Sequence, residues 1–208
     1  MHYDPAQWLA LVWSGWTATW PTELLAVIWI AWLASWVAAS FWSGRTQKQV
    51  MTWDSLTYRI PILAGGLLFT PWAARVLGAQ PLWQVGDVVT YLLAGLTLAG
   101  ISFTWLARIH LGRFWSNAIT RKEGHRVIDT GPYGLVRHPI YTGLITGMLA
   151  TGIAVGTPTA MLGAVLISLG MWRKARIEER FLTIELGADA YGSYCARVPM
   201  LVPFFPPR

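Results

Sequence analysis

Two short polar stretches of this chain hold the residues that could do chemistry, and both border apolar runs. Residues 131–141 read Gly-Pro-Tyr-Gly-Leu-Val-Arg-His-Pro-Ile-Tyr. They present Tyr133, Arg137, His138 and Tyr141, a set of hydrogen-bond donors, acceptors and aromatic faces. The second stretch, 172–186, carries Arg173, Lys174, Glu178 and Glu179. On a helix, adjacent residues point about 100° apart, so only one of Glu178 and Glu179 can look straight into a given pocket. Blander readings exist for both. An Arg-His pair beside an apolar run serves as an interfacial anchor, and Lys174 and Glu178, one turn apart, suit a solvated helix laced by i,i+4 pairs.

The elements that must position these groups are legible from local chemistry. Pro132 and Pro139 fix φ and disfavour helix in the residue before each, while Gly131 and Gly134 permit left-handed turns, so a tight, rigid loop is expected. Residues 172–186 are strongly helix-forming and end at Gly187, a suitable residue just past a helix terminus. The connection from Ile109 to the loop is long for a compact fold. Its glycines, aromatics and histidines favour a functional loop, with Val127 and Ile128 as a short extended segment.

Composition sets the class. Apolar residues make up 54% and charged residues 12% of the 208, with a mean hydropathy of +0.43, which describes a bilayer protein. Residues 24–42 and 88–107 are uncharged and about long enough to cross a hydrocarbon core of roughly 30 Å. Residues 56–77 read as a further span, with Pro61 and Pro71 bending it or marking its ends. The uncharged run 139–172 is too long for one crossing, and Gly152, Gly156, Thr157 and Pro158 at its centre would divide it into two helices. Five spans result. Residues 1–20 form a Trp-rich segment without assigned chemistry, and no cleavable signal peptide is expected, because the first residues lack a basic region.

Charge tests this count independently. Arg45 and Lys48 follow the first span. Arg108, Arg113, Arg121, Lys122, Arg126 and Arg137 lie between the third span and the hairpin, and six further basic residues follow the last span. Five spans put all these segments on one face, which predicts an amino terminus outside and a carboxyl terminus in the cytoplasm. The net charge of +6 then reflects topology and attraction to membrane lipid rather than nucleic acid. A lone Cys195 excludes an internal disulfide and a multi-cysteine metal site; no metal is expected. The 14 tryptophans suit interfacial belts.

Three pieces in order carry a resemblance: Gly-Pro-Tyr-x-x-x-Arg-His-Pro-x-Tyr-x-Gly, an apolar hairpin, and Arg-x-Glu-Glu-x-x-Leu followed by Gly-x-x-x-Tyr-x-x-Tyr-x-x-Arg-Val-Pro. Over roughly residues 108–203 the chain resembles the isoprenylcysteine carboxyl methyltransferase family and its phospholipid N-methyltransferase relatives. The resemblance implies an all-α, polytopic membrane enzyme that binds S-adenosylmethionine in a cytoplasmic pocket built from the C-terminal half and methylates a lipophilic or prenylated acceptor. Residues 1–107 would be N-terminal transmembrane helices and 108–208 the methyltransferase core, together one integrated membrane domain. By the same resemblance, His125, Arg126, Val127, Ile128, Tyr133, Arg137, His138, Pro139, Ile140, Tyr141 and Glu178 are the expected cofactor-binding residues, and Arg173, Lys174 and Glu179 the expected acceptor-side or catalytic ones. The eukaryotic members carry arginine where Lys174 stands, and lysine offers a point charge rather than a bidentate fork. A carboxylate acceptor is the leading expectation, with an aminolipid N-methyltransferase or an NADPH-dependent sterol-reductase-type enzyme as alternatives.

Overall fold

The computed structural model describes residues 20–40, 48–49, 53–112, 120–121 and 127–205. Its helices are α1 (Trp20–Ser40), α2 (Trp53–Leu68), α3 (Pro71–Val76), α4 (Asp87–Leu111), α5 (Pro132–Leu135), α6 (Pro139–Val155), α7 (Pro158–Leu186) and α8 (Ala188–Arg197). The all-helical expectation holds but for one small departure. β1 (Lys48–Gln49) pairs antiparallel with β2 (Thr120–Arg121), joining the connection after α1 to the one after α4.

Helix ends follow their punctuation. The expected span at 56–77 is instead two helices. α2 runs through Pro61 and stops at Leu68, and α3 begins at Pro71, whose missing N–H cannot continue a helical ladder. Thr70 caps α3, its side chain accepting from the Ala73 N–H at 3.2 Å. The hairpin turn falls where expected. α6 ends at Gly156 in the left-handed conformation (φ 71°), and Thr157 caps α7 by accepting from Ala160 N at 3.2 Å, whereas Gly152 stays inside α6. In the polar loop Gly131 is left-handed (φ 57°), but Gly134 sits in the one-turn helix α5 rather than in a turn of its own. Val127 and Ile128 form no strand.

The helices pack in the spatial order α1, α4, α6, α7, α2. Glycines let the backbones touch. A methyl group on Gly143 would lie 2.3 Å from the Gly100 carbonyl oxygen, and one on Gly65 would lie 2.6 Å from that of Gly163, so the α4–α6 and α2–α7 crossings require these residues. Small-residue crossings of this kind are how helices associate where lipid removes the hydrophobic drive between them. Polar groups in the dry interface pair internally: Trp29 Nε1 donates to Thr151 Oγ1 at 3.0 Å, and Thr151 donates to the Gly147 carbonyl at 2.8 Å.

The outward faces are apolar. Val27, Ile30, Leu33 and Val37 of α1, Ile60 and Leu63 of α2, and Leu92 and Leu96 of α4 are exposed, a surface made for lipid rather than water. Glu23–Ser40 and Asp87–Leu111 are long and apolar enough to cross a membrane by length and composition. One end of the bundle gathers the chemistry: Arg108 Nη2 at the end of α4 donates to the Ala39 carbonyl at the end of α1 (2.6 Å), and the starts of α2 and α6 meet the later turns of α7. At the other end Trp83 Nε1 donates to the Ile153 carbonyl at 2.9 Å.

Candidate active site

The loop before α6 is held by the chain's own last turns. The backbone N–H groups of Arg137 and His138 donate to the carbonyls of Pro199 (2.8 Å) and Met200 (3.1 Å), and Thr142 Oγ1 donates to the Leu201 carbonyl at 2.6 Å. Pro139 opens α6 at its first turn, where a missing N–H costs nothing. The buried Arg137 guanidinium completes the clasp: Nε donates to Glu179 Oε1 at 2.6 Å, and Nη1 to the carbonyls of Cys195 (2.9 Å) and Val198 (2.5 Å). One planar fork thus ties α7 to the end of α8.

Both partners of that pair stay charged. Burial alone would raise the Glu179 carboxyl, but His138 and Arg137 outweigh it and hold it below the usual carboxylate range. Burial likewise works against the Arg137 guanidinium, and Glu179 more than compensates.

The adjacent carboxylates diverge as helix geometry requires. Glu178 turns to a second cluster, where Tyr141 Oη donates to its Oε1 at 2.7 Å and Lys174 Nζ stands 3.9 Å from the same oxygen. His138 lies between the two acids, Nδ1 3.6 Å from Glu178 and Nε2 3.4 Å from Glu179. The latter approach is not aligned as a hydrogen bond, and buried Nε2 has no hydrogen-bond partner among the described residues. The imidazole stacks on Tyr141, centroids 5.5 Å apart and planes 7° from parallel. Lys174 Nζ sits 5.2 Å from the Tyr141 ring centre and 5.9 Å from that of Tyr58.

Around this centre the remaining expected residues fall into place or apart. Tyr133 is buried beside it. Its phenol is pushed far up by burial, with the Glu178 charge adding, so it remains an O–H donor. Its carbonyl accepts from Tyr194 Oη at 2.7 Å, and its ring stacks on His110 at 6.3 Å. Val127 packs on the cluster of Tyr191, Tyr194 and Val198; Ile128 and Ile140 are half-buried, and Pro139 is fully buried. His125 and Arg126 lie outside the described residues. Arg173 faces away from the cluster toward α2, Nε donating to Thr57 Oγ1 at 3.1 Å and Nη2 3.5 Å from Asp54 Oδ1.

Sequence reasoning missed Tyr58 and the bracing role of Tyr194. Tyr58 is buried in the first turns of α2, an element with no motif of its own, and only packing brings it to Lys174. Tyr194 belongs to a quoted motif, but its partner, a backbone carbonyl, leaves no trace in residue types. The assembled centre combines an acid, a cation, an imidazole set between two carboxylates and parallel aromatic faces. That set suits a small zwitterionic or cationic ligand.

The profile of the isoprenylcysteine carboxyl methyltransferase (ICMT) family matches residues 93–184. Similar proteins include protein-S-isoprenylcysteine O-methyltransferase B of Arabidopsis thaliana, 31% identical over 110 residues, covering 51% of this chain and 49% of the relative. A probable protein-S-isoprenylcysteine O-methyltransferase of Oryza sativa subsp. indica is 31% identical over 124 residues, covering 58% and 56%. A methanethiol S-methyltransferase of a Pseudomonas species is 31% identical over 121 residues, covering 58% and 42%. The match spans about half the length of the first two relatives. The matched segment runs from α4 through the loop, the hairpin and the Glu178–Glu179 helix, and over it the chain is similar to the isoprenylcysteine carboxyl methyltransferase family.

Proposed function

We propose that this protein is an integral membrane methyltransferase that uses S-adenosylmethionine and methylates a lipophilic acceptor, the carboxylate of an isoprenylcysteine-like molecule. The observation that carries the reading is the convergence of Glu178, His138, Tyr141 and Lys174 at one end of an apolar bundle, within the segment that matches the family.

The donor set fits the cofactor. Glu178 would take its ammonium group, and His138, with Nδ1 3.6 Å from Glu178, lines the same centre. The parallel faces of His138 and Tyr141 suit an adenine ring or a sulfonium. When bound, S-adenosylmethionine supplies an electrophilic methyl group. The chain's own task is then to hold both partners at near-attack distance and exclude water. Tyr133 and the Arg137–Glu179 clasp give the pocket a rigid wall, and Lys174 would attract an anionic acceptor whose apolar tail enters from the bilayer.

Five alternating membrane segments are the reading of the bundle: α1, α2 with α3, α4, α6 and the first half of α7. The basic connections favour a cytoplasmic site end and an outside amino terminus by the positive-inside rule. A second acceptor class, a small thiol, draws support from the similarity to the methanethiol S-methyltransferase. A labelled-methyl screen in detergent decides among a prenylcysteine, an aminolipid and a small thiol. Transfer to the prenylcysteine alone supports the carboxylate, and transfer confined to another acceptor removes it.

A further inference from the structure

Among the described residues, Phe204 is the one non-glycine residue with a left-handed backbone, φ 63°. It stands third in a four-residue turn, Val202 to Phe205, closed by the Phe205 N–H donating to the Val202 carbonyl at 3.3 Å. Pro203 is second, where its ring presets φ. A positive φ after such a proline is the geometry of a type II turn, which asks for glycine or asparagine at the third position. A bulky aromatic there is a strained choice. Packing within the chain does not compensate for it, since Phe204 is 94% exposed and Val202 and Phe205 are exposed beside it. A side chain that is both strained and bare points to a use outside the chain.

The position of the turn says what lies outside. The residues just before it are bonded to the start of α6: the Met200 carbonyl accepts from the His138 N–H, and the Leu201 carbonyl from Thr142 Oγ1. Thr142 lies at the head of the uncharged run that opens at Pro139, and its neighbour Tyr141 meets Lys174 and Glu178, which stand just past Trp172, the exposed tryptophan at the other end of that run. The turn is therefore at the level where apolar helix surface gives way to polar groups, the depth at which aromatic side chains gather in a bilayer. Residues 198–207 carry no charge. A protein partner would be met by an apolar patch with a polar rim, whereas this turn continues the lipid-facing surface of the bundle.

We infer that the Val202–Phe205 turn is an interfacial membrane anchor, with Phe204 inserted among the lipid headgroups and upper acyl chains at the site end of the bundle. The role rests on the membrane reading above and adds a lipid contact outside the crossing helices. The same tail accepts the backbone N–H groups of Arg137 and His138 at Pro199 and Met200, so the anchor ties the loop of the candidate site to the bilayer surface.

The test uses the full chain, with Cys195→Ser, in vesicles of palmitoyl-oleoyl phosphatidylcholine. A nitroxide label on Phe204→Cys is read by its relaxation with oxygen, which concentrates in hydrocarbon, and with a water-soluble nickel chelate. Labels on Leu96→Cys, on the exposed apolar face of α4, and on Ser193→Cys, exposed on α8, give the lipid and water references. The oxygen-to-nickel ratio at position 204 should stand clearly above that at position 193. Val202→Cys provides a second label should Phe204→Cys not fold. With the label at Val202→Cys, Phe204→Gly, which relieves the strained φ, should lower the ratio, and an unchanged ratio removes Phe204 from the anchor. A ratio equal to that at position 193 overturns the inference, and so does shielding from both reagents, which would mean that a second copy or another segment of the chain covers the turn. A water-like ratio at position 96 overturns the membrane reading itself and the anchor with it.

Discussion

Arg137 Nε lies 2.6 Å from Glu179 Oε1, with the two side chains 6% and 14% exposed, and the same guanidinium closes onto two carbonyls at the end of α8. This ion pair ties α7 to the end of α8. Removing one partner leaves the other charged and buried, so Arg137→Ala should destabilise the protein by about 3 to 5 kcal/mol. Thermal unfolding in detergent checks this. A melting temperature within a degree of wild type would show that the clasp contributes little.

The clasp also sets an acid limit. The Glu179 carboxyl is held below its ordinary value of about 4.3 in the folded chain. A group lowered on folding contributes stability that is fully present above its unfolded value and is lost as pH falls through the folded one. The melting temperature should therefore hold down to about pH 5 and drop below about pH 4, and Glu179→Gln should flatten the drop. Identical acid profiles for the two proteins would assign the limit to other carboxylates.

Glu178→Ala should weaken S-adenosylmethionine binding by about 1.5 to 3 kcal/mol, the loss of a charge-assisted hydrogen bond in a partly buried site. Glu179→Ala should lower stability more than affinity. Calorimetry and melting on both variants separate the roles. A larger affinity loss at Glu179 would put the cofactor on the other face of α7.

The α4–α6 crossing makes a packing prediction with its own control. Gly143→Ala puts a methyl group 2.3 Å from the Gly100 carbonyl oxygen, whereas one on Gly95 meets nothing within 4 Å. The first should cost about 1 to 3 kcal/mol, as overpacking does, and the second should be neutral or slightly stabilising through better helix propensity. Equal effects would mean that the crossing relaxes.

Orientation is testable by single cysteines in a Cys195→Ser background. Exposed Ser193 and Gln80 lie toward opposite ends of the bundle. Ser193→Cys should react with an impermeant thiol reagent only from the cytoplasmic face and Gln80→Cys only from the outer face. Labelling of both from one face would defeat the alternating topology.

Much of this protein is determined locally and so was legible in the sequence. Uninterrupted apolar runs place α1 and α4, Gly156, Thr157 and Pro158 close the hairpin, and Gly187 ends α7, because backbone preference and hydropathy act over a few residues. The divergence of Glu178 and Glu179 also follows from helix geometry alone. Which acid faces the centre does not, since that depends on Tyr141, Lys174 and Arg137 arriving from separate parts of the fold. The motif offered Arg137 and His138 as equals. Packing turned Arg137 to backbone carbonyls of residues 195 and 198 and set His138 between the two acids. Sequence order puts α2 between α1 and α4, yet α2 lies beyond α7, because glycines at positions 65 and 163 let those two backbones meet. Only that long-range contact separates Arg173 from Lys174 and brings Tyr58 to the site; it is a property of two surfaces fitting together, which no local pattern records.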